Sequence, residues 1–499
     1  MPQFDHFQES WKSSILKRKS TARDEFPEYP SSDPKVLITT SRIHSFELGT
    51  SASIYTHSLL PGILQAEHEI IIVTCFWSGS STRIALKEAL ETMAAQRRAL
   101  VLKAREPGSV TQAPPLLRVR ICFSSRSFFQ KIFHTWSKDG YVYPPSQWTS
   151  RLGMPSQKVL EAGLIDLRIK SIFFLPFSVL HSKYVVVDRQ RAWLPSCNVS
   201  WEAWLECCVE ITGDGVAGLI KFHKNVWDPE LENQIIPRDG PDLGSATASG
   251  SPRITVNPVP SFVDRFLSLP EVVTPTILLP SSHHRNPDFT VMPCSSPATA
   301  PPTPLNCAIL RLLDMAENYI YFQTPNITSP DVIDGILEVV KRGVDVAIVT
   351  SKGLMRLEQL ITSGTTTARC LKLLVRKYRK LQAGHARPRH IPGRHDSAVD
   401  VEAQQRPLGS LKIWYFRPRP DPPPESKTQE PQKTHIKLTI VDGQYTVLGS
   451  GNMDRASWFT SQELGMLSYS VDFATAVNAA VAEVLADRLE PVFLSTTDE

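Results

Sequence analysis

The sequence predicts an α/β protein of two similar halves, each a mixed, largely parallel sheet flanked by helices, related by a pseudo-twofold within one chain. Three observations predict it. The 499 residues exceed what one ordinary core holds. A strand–helix–strand pattern occurs twice. The same polar motif then closes each copy at nearly the same spacing, from Ala66 to His181 and from Ala316 to His435.

Each copy opens on a helix end that runs into a buried strand, LQAEHEIIIVTCFW in the first and LDMAENYIYFQTPN in the second. An amphipathic segment follows, SSTRIALKEALETMAAQRR and then SPDVIDGILEVVKRG, with apolar residues at helical spacing. Second strands are predicted at LLRVRICFSS and VDVAIVTS, and third strands at IDLRIKSIFFL and LGSLKIWYF. Connections of this length place successive strands parallel.

These signals divide the chain into an N-terminal segment 1–35, a first half 36–236, a Pro/Ser-rich linker 237–304 and a second half 305–499. The linker's ends are SATASGSP and SSPATAPPTP, while SFVDRFLSLP and TPTILLPSSHHRNPDF in its middle carry apolar residues that need a packing partner. The second half holds an insertion at about 382–434, in which RPRPDPPPESKTQEPQK is expected to be exposed.

A hydrophobic fraction of 41% with 21% charged residues excludes a disordered or membrane-embedded chain. The net charge of +4 is too small to mark a nucleic-acid binder, yet it would not repel an anionic substrate. Eight scattered cysteines form neither a CxxC pair nor a disulfide framework, which fits a reducing compartment. The first residues lack the apolar core of a secretory signal, and no apolar run spans a bilayer. The expected location is cytoplasmic or membrane-peripheral inside the cell.

The chemistry sits in two segments, HSKYVVVDRQRAWLPSCN and HIKLTIVDGQYTVLGSGN. The first supplies His181, Lys183, Asp188, Ser196 and Asn198; the second supplies His435, Lys437, Asp442, Ser450 and Asn452. YVVV and LTIV read as buried strand, and alternation puts each histidine and its lysine on one face. A lone histidine on an apolar strand is ordinarily a packed core residue; two copies in register with a repeated frame are not. The residue types suit an anionic phosphodiester. Lysines and amides balance charge on the non-bridging oxygens. One neutral imidazole can attack phosphorus, and a protonated one can supply the leaving oxygen. No carboxylate cluster offers a metal site, so neither metal nor cofactor is expected.

These residues resemble the phospholipase D superfamily, whose signature runs His-x-Lys, four residues, Asp, then Gly-Ser-x-Asn. The resemblance covers both motifs and the frame of each half from about residue 36 onward. The second motif matches it through Gly449; the first departs at Pro195. The resemblance implies His181 as nucleophile and His435 as general acid, with Lys183, Lys437, Asn198 and Asn452 completing the catalytic set. It also implies a downstream glutamate bonding the opposite histidine: Glu463 for one, and Glu206 for the other with Glu210 as fallback. Asp188 and Asp442 are read as structural, and Ser196 and Ser450 as supports for the phosphate or intermediate.

The implied function is phosphodiester cleavage or phosphatidyl transfer on a glycerophospholipid through a phosphohistidine, as in cardiolipin synthases. A nuclease or DNA-end-processing phosphodiesterase on the same scaffold is the alternative, with nucleic acid as partner, and a non-catalytic phosphate- or lipid-binding module is another. Phospholipid is the expected partner, any membrane contact is expected to be peripheral, and a monomer is expected. The segment ARCLKLLVRKYRKL reads as a basic helix that meets anionic lipid headgroups, forms a nucleic-acid patch or is an ordinary solvated face. Trp193, Trp201, Trp204 and Trp458 flank the motifs as pocket or core. QTPNIT, after a strand end, is a candidate substrate contact.

Overall fold

The computed structural model describes residues 2–16, 33–127, 130, 140–174, 178–200, 202–231, 263–281, 300–385, 407–422, 424 and 430–495. It is a mixed α/β fold around a large mixed sheet of 18 strands among these residues.

In the first half the strands Glu69–Phe76, Leu117–Ser125 and Ile165–Ser171 run parallel. The helix Ser81–Ala104 crosses between the first two. Ser80 caps it by accepting from Arg83 N, and Ala85, Leu86, Ala89, Leu90 and Met93 form its buried stripe. In the second half Tyr319–Thr324, Asp345–Ser351 and Leu411–Phe416 are parallel in the same order. The crossing helix is Pro330–Lys341, with Pro at its start and Asp331 in its first turn.

The parallel region stops at three strands per half. Tyr184–Val187 returns antiparallel to Glu69–Phe76, and Leu438–Val441 returns antiparallel to Tyr319–Thr324. All four residues of each returning strand are buried, which is why both read as continuous runs of mostly β-branched residues. Hairpins then lead to Arg191–Pro195 and Tyr445–Gly449, and onward to Trp204–Gly213 and Glu463–Tyr469.

The middle of the 237–304 segment joins the two halves. Its strand Val273–Ser281 pairs antiparallel with Ile38–Gly49 on one side and with Glu463–Tyr469 on the other. Ile277, Leu278 and Leu279 are buried there, which supplies the partner that the apolar residues required. A shorter strand, Val263–Ser268, also pairs with Ile38–Gly49. The Pro/Ser-rich ends at 232–262 and 282–299 lie outside the described residues.

The range 382–434 is not insertion throughout. The helix Thr367–His385 reaches into it, and Leu411–Phe416 and Lys433–Thr434 are sheet strands. The expected exposure of RPRPDPPPESKTQEPQK also fails at Glu430. This residue is buried, accepts from Arg419 N, and takes both Nε and Nη2 of Arg488 at 2.8 Å. A buried arginine needs that carboxylate, and Arg488 also pairs with Asp264 at 2.7 Å. Residues 386–406 lie outside the described set.

The N-terminal segment carries a helix, Pro2–Leu16, with Phe4, Phe7, Trp11 and Ile15 buried on one stripe. Trp11 Nε1 donates to Pro304 O at 3.0 Å, and Phe4 stacks on Tyr469 with centroids 4.9 Å apart. Among the described residues no helix is long and apolar enough to cross a membrane.

Candidate active site

Each His-x-Lys lies at the entry to its returning strand rather than within it. Lys183 Nζ donates to the carbonyl of His181 at 2.8 Å, and Lys437 Nζ to that of His435 at 2.5 Å. Each ammonium is therefore held beside its own histidine.

The two halves exchange supports. Gln462 O accepts from His181 N at 2.7 Å, and Leu205 O accepts from His435 N at 2.8 Å. The residue after each acceptor is a glutamate. Glu463 Oε2 lies 2.8 Å from His181 Nδ1, and Glu206 Oε1 lies 2.8 Å from His435 Nδ1. Each imidazole is thus oriented by a carboxylate from the other half. An Nδ1–H donated to that carboxylate leaves Nε2 with its lone pair. The fallback Glu210 belongs elsewhere, bonded to Arg191 Nε and Nη2 at 3.0 and 2.6 Å.

Ser196 and Ser450 serve these glutamates. Ser196 Oγ donates to Glu206 Oε2 and Ser450 Oγ to Glu463 Oε2, each at 2.5 Å. Both hydroxyls also accept a backbone N–H, from Cys207 and Leu464 respectively. These bonds place them behind the histidines, as supports of the carboxylates. Pro195 leaves this arrangement unchanged. Ser196 N donates to Cys207 O at 2.8 Å, as Ser450 N does to Leu464 O at 3.0 Å. Gly449 is at φ 151°, where a Cβ would meet Leu464 O at 2.4 Å.

Asn198 Oδ1 accepts from Phe76 N at 3.3 Å, at the end of the first parallel strand. Asn452 Nδ2 donates to Asp454 Oδ2 at 3.0 Å. Asp188 and Asp442 are turn builders. Both sit at φ 49°, and each carboxylate accepts three consecutive backbone N–H groups, of residues 67–69 and 317–319. They fix the start of the first parallel strand to the end of the histidine-bearing one.

Several contributors carried no separate signal in the sequence. Ser457 Oγ donates to Glu463 Oε1 at 2.7 Å, and Asp454 caps its helix through Ser457 N at 2.9 Å. Trp204, ambiguous between pocket and core, lies with its ring centroid 4.8 Å from that of His435. Trp193 and Trp458 are core, and Trp201 lies outside the described residues. In QTPNIT, Gln323 Nε2 donates to Thr434 Oγ1 at 2.7 Å, one residue before His435.

Burial sets the charge states. It pushes His435 down to about 3 against the pull of Glu206, and Lys437 adds to the depression. His181 is lowered in the same way, by burial over the pull of Glu463. Burial also brings Lys437 down to about 7, with Glu206 opposing and Lys183 adding. For Glu206 and Glu463 burial acts upward, but the facing histidine, the lysines and the serine outweigh it and hold both below the ordinary value. Near neutral pH the two imidazoles are thus uncharged and backed by two carboxylates. Among the described residues no group of three His, Cys, Asp or Glu is placed to hold a metal ion.

Residues 309–485 match the family described as cardiolipin synthase, PLD-like domain. Among solved structures the chain is similar to phosphatidylserine synthase of Haemophilus influenzae Rd KW20, at 13% identity over 90% of this chain and 89% of that one, with a TM-score of 0.49. It is also similar to Nuc, a phospholipase D family member from Salmonella typhimurium, at 15% identity over 38% and 90% of the two chains, TM-score 0.25. A third similarity is to the polyphosphate kinase of Porphyromonas gingivalis, at 10% identity over 88% and 50%, TM-score 0.41. No curated protein matches the sequence.

Proposed function

We propose that the chain cleaves the phosphodiester of a glycerophospholipid through a phosphohistidine and passes the phosphatidyl group to water or an alcohol. The observation that carries this is the reciprocal pairing of His181 with Glu463 and of His435 with Glu206. It makes one site from two His-x-Lys motifs and gives both imidazoles a free Nε2. The family matched by the second half, named for cardiolipin synthase, supports a lipid substrate.

His181 is the nucleophile in this reading. Its side chain is 15% exposed against 6% for His435, so its ring is the more open to a phosphate. Its Nε2 lone pair forms the N–P bond as the bond from phosphorus to the leaving oxygen breaks. His435, protonated once the anion is bound, gives its Nε2 proton to that oxygen. The neutral His435 then takes a proton from the incoming water or alcohol, whose oxygen bonds to phosphorus as the N–P bond breaks. Lys183, Lys437, Asn198 and Asn452 stabilise charge on the non-bridging oxygens. One chain supplies every group, so a monomer suffices.

The test offers phosphatidylglycerol and phosphatidylcholine vesicles with a primary alcohol, beside a labelled oligonucleotide. Wild type is expected to form phosphatidyl-alcohol, and His181→Ala and His435→Ala to form none. A cut oligonucleotide without lipid product would replace this reading with a nuclease. Lipid binding without turnover of either substrate would leave a binding module.

A further inference from the structure

We infer that the helix Arg356–Ser363 and the basic helix Thr367–His385 together form a docking surface for a bilayer containing anionic phospholipid. The surface adjoins the second half's Asn452 segment. This inference rests on the proposed function for its purpose, but not for its physical basis.

The first helix is turned inside out. Met355, Leu357, Leu360 and Ile361 are 46%, 73%, 43% and 47% exposed, while the one buried residue of the helix is Gln359. Leucines at i, i+3 and i+4 ordinarily face a core. Here the polar residue faces inward and the apolar ones face out. Exposed apolar side chains gathered on one short helix mark an interaction surface.

The inverted pattern is held rigidly. Gln359 Nε2 donates to Asn326 Oδ1 at 2.6 Å and to Leu354 O at 2.5 Å, and Gln359 Oε1 accepts from Thr367 N at 2.7 Å. Residues in the left-handed region close both ends, Met355 at φ 48° and Gly364 at φ 63°. A methionine adopts that conformation only when its surroundings impose it.

The patch is tied to the candidate active site. Ser363 Oγ lies 3.2 Å from Thr328 Oγ1, which accepts from Arg455 N at 3.0 Å; Thr328 N donates to Met453 O at 3.0 Å. Met453 follows Asn452 directly. A surface seated on the patch would therefore be one short hydrogen-bonded path from the phosphate donors.

Charge selects the occupant. Residues 356–385 contain seven Lys or Arg and one acidic residue, Glu358. On the helix Thr367–His385, Leu371, Leu374 and Tyr378 are buried, while Arg369, Lys372, Arg376 and Lys380 are exposed at helical spacing. Apolar side chains beside a cationic stripe match the two layers of a membrane interface, acyl boundary and anionic headgroup. A protein partner would not need that layering.

The test is flotation of the full chain with phosphatidylcholine vesicles, with and without phosphatidylglycerol. Wild type should bind the anionic vesicles. Leu357→Glu with Ile361→Glu should weaken binding about ten-fold or more, as loss of two inserting side chains requires. Arg369→Glu with Lys372→Glu should remove the preference for phosphatidylglycerol. His435→Ala should bind like wild type. The apolar double variant should also turn over vesicles about ten-fold more slowly, yet keep wild-type rates on a short-chain phospholipid below its micelle concentration. Wild-type-like binding by both double variants, or no vesicle binding by wild type, would overturn the surface. So would a shift in oligomeric state by light scattering with vesicle binding unchanged, which would assign the patch to a second copy. No turnover of any phospholipid, with vesicle binding still lost in the variants, would leave the surface standing and remove the proposed function instead.

Discussion

Glu206 and His435 stand 229 positions apart in the chain and meet at 2.8 Å between Oε1 and Nδ1. Glu206→Gln would keep the shape but lose the charge that holds Nδ1–H. We expect kcat to fall about a hundred-fold or more, with little change in folding. Glu210→Gln, which touches Arg191 and not the histidine, should leave kcat within about two-fold. Steady-state kinetics of the two variants checks the pair. Equal losses would mean that the orienting contact is not the one described.

Asp188 tests the frame rather than the chemistry. Its carboxylate accepts from the backbone of Glu67, His68 and Glu69. Asp188→Ala leaves three donors without that partner, and should cost about 3 kcal/mol of stability. Asp442→Ala should act alike in the second half. Thermal unfolding measures both, and a shift near zero would contradict the capping role.

Stability should fall on mild acidification. His435 has an ordinary value of 6.5 and a folded value of about 3. Between these values the unfolded chain binds more protons, so stability is present above about 6.5 and declines as pH falls toward 3. Glu206 and Glu463, depressed in the fold, act in the same direction at the lower end of that window. From His435 alone the loss from pH 6.5 to 5 is about 2 kcal/mol. Urea unfolding across this range should show the slope, and His435→Asn should reduce it.

Anion binding should take up protons. Both histidines are held below their ordinary value and are neutral near pH 7, and Lys437 lies at about 7. A bound phosphate raises all three. Calorimetry of inorganic phosphate or vanadate binding at pH 7.5, in buffers of different ionisation enthalpy, should show uptake of about one proton. Buffer-independent heats would contradict these charge states.

What the sequence discloses depends on how local each interaction is. The two motifs are legible because their chemistry requires fixed residues at fixed spacing, repeated on a repeated frame. Glu206 and Glu463 are legible through local alignment, although the histidines they meet are far along the chain. Phe4, Phe7, Trp11 and Ile15 have helical spacing in the sequence, but Phe4 and Phe7 meet Tyr469 and Tyr445 more than 400 positions away and Trp11 meets Pro304, and no local pattern points to these partners. The strand Val273–Ser281 is apolar on sight, while its place between the two halves comes from pairing alone. Ser196 and Ser450 have hydroxyls suited to a phosphate as much as to a carboxylate, and only the geometry shows which they meet.

The most direct test of a single shared site is to trap the intermediate. A phosphatidyl ester with a good leaving group, radiolabelled in its phosphate, needs no general acid for the first step. In His435→Ala the second step lacks its base, so the label should accumulate on His181 as an acid-labile phosphohistidine. His181→Ala should carry none and turn nothing over. Label on another residue, or turnover that survives either substitution, would contradict the account.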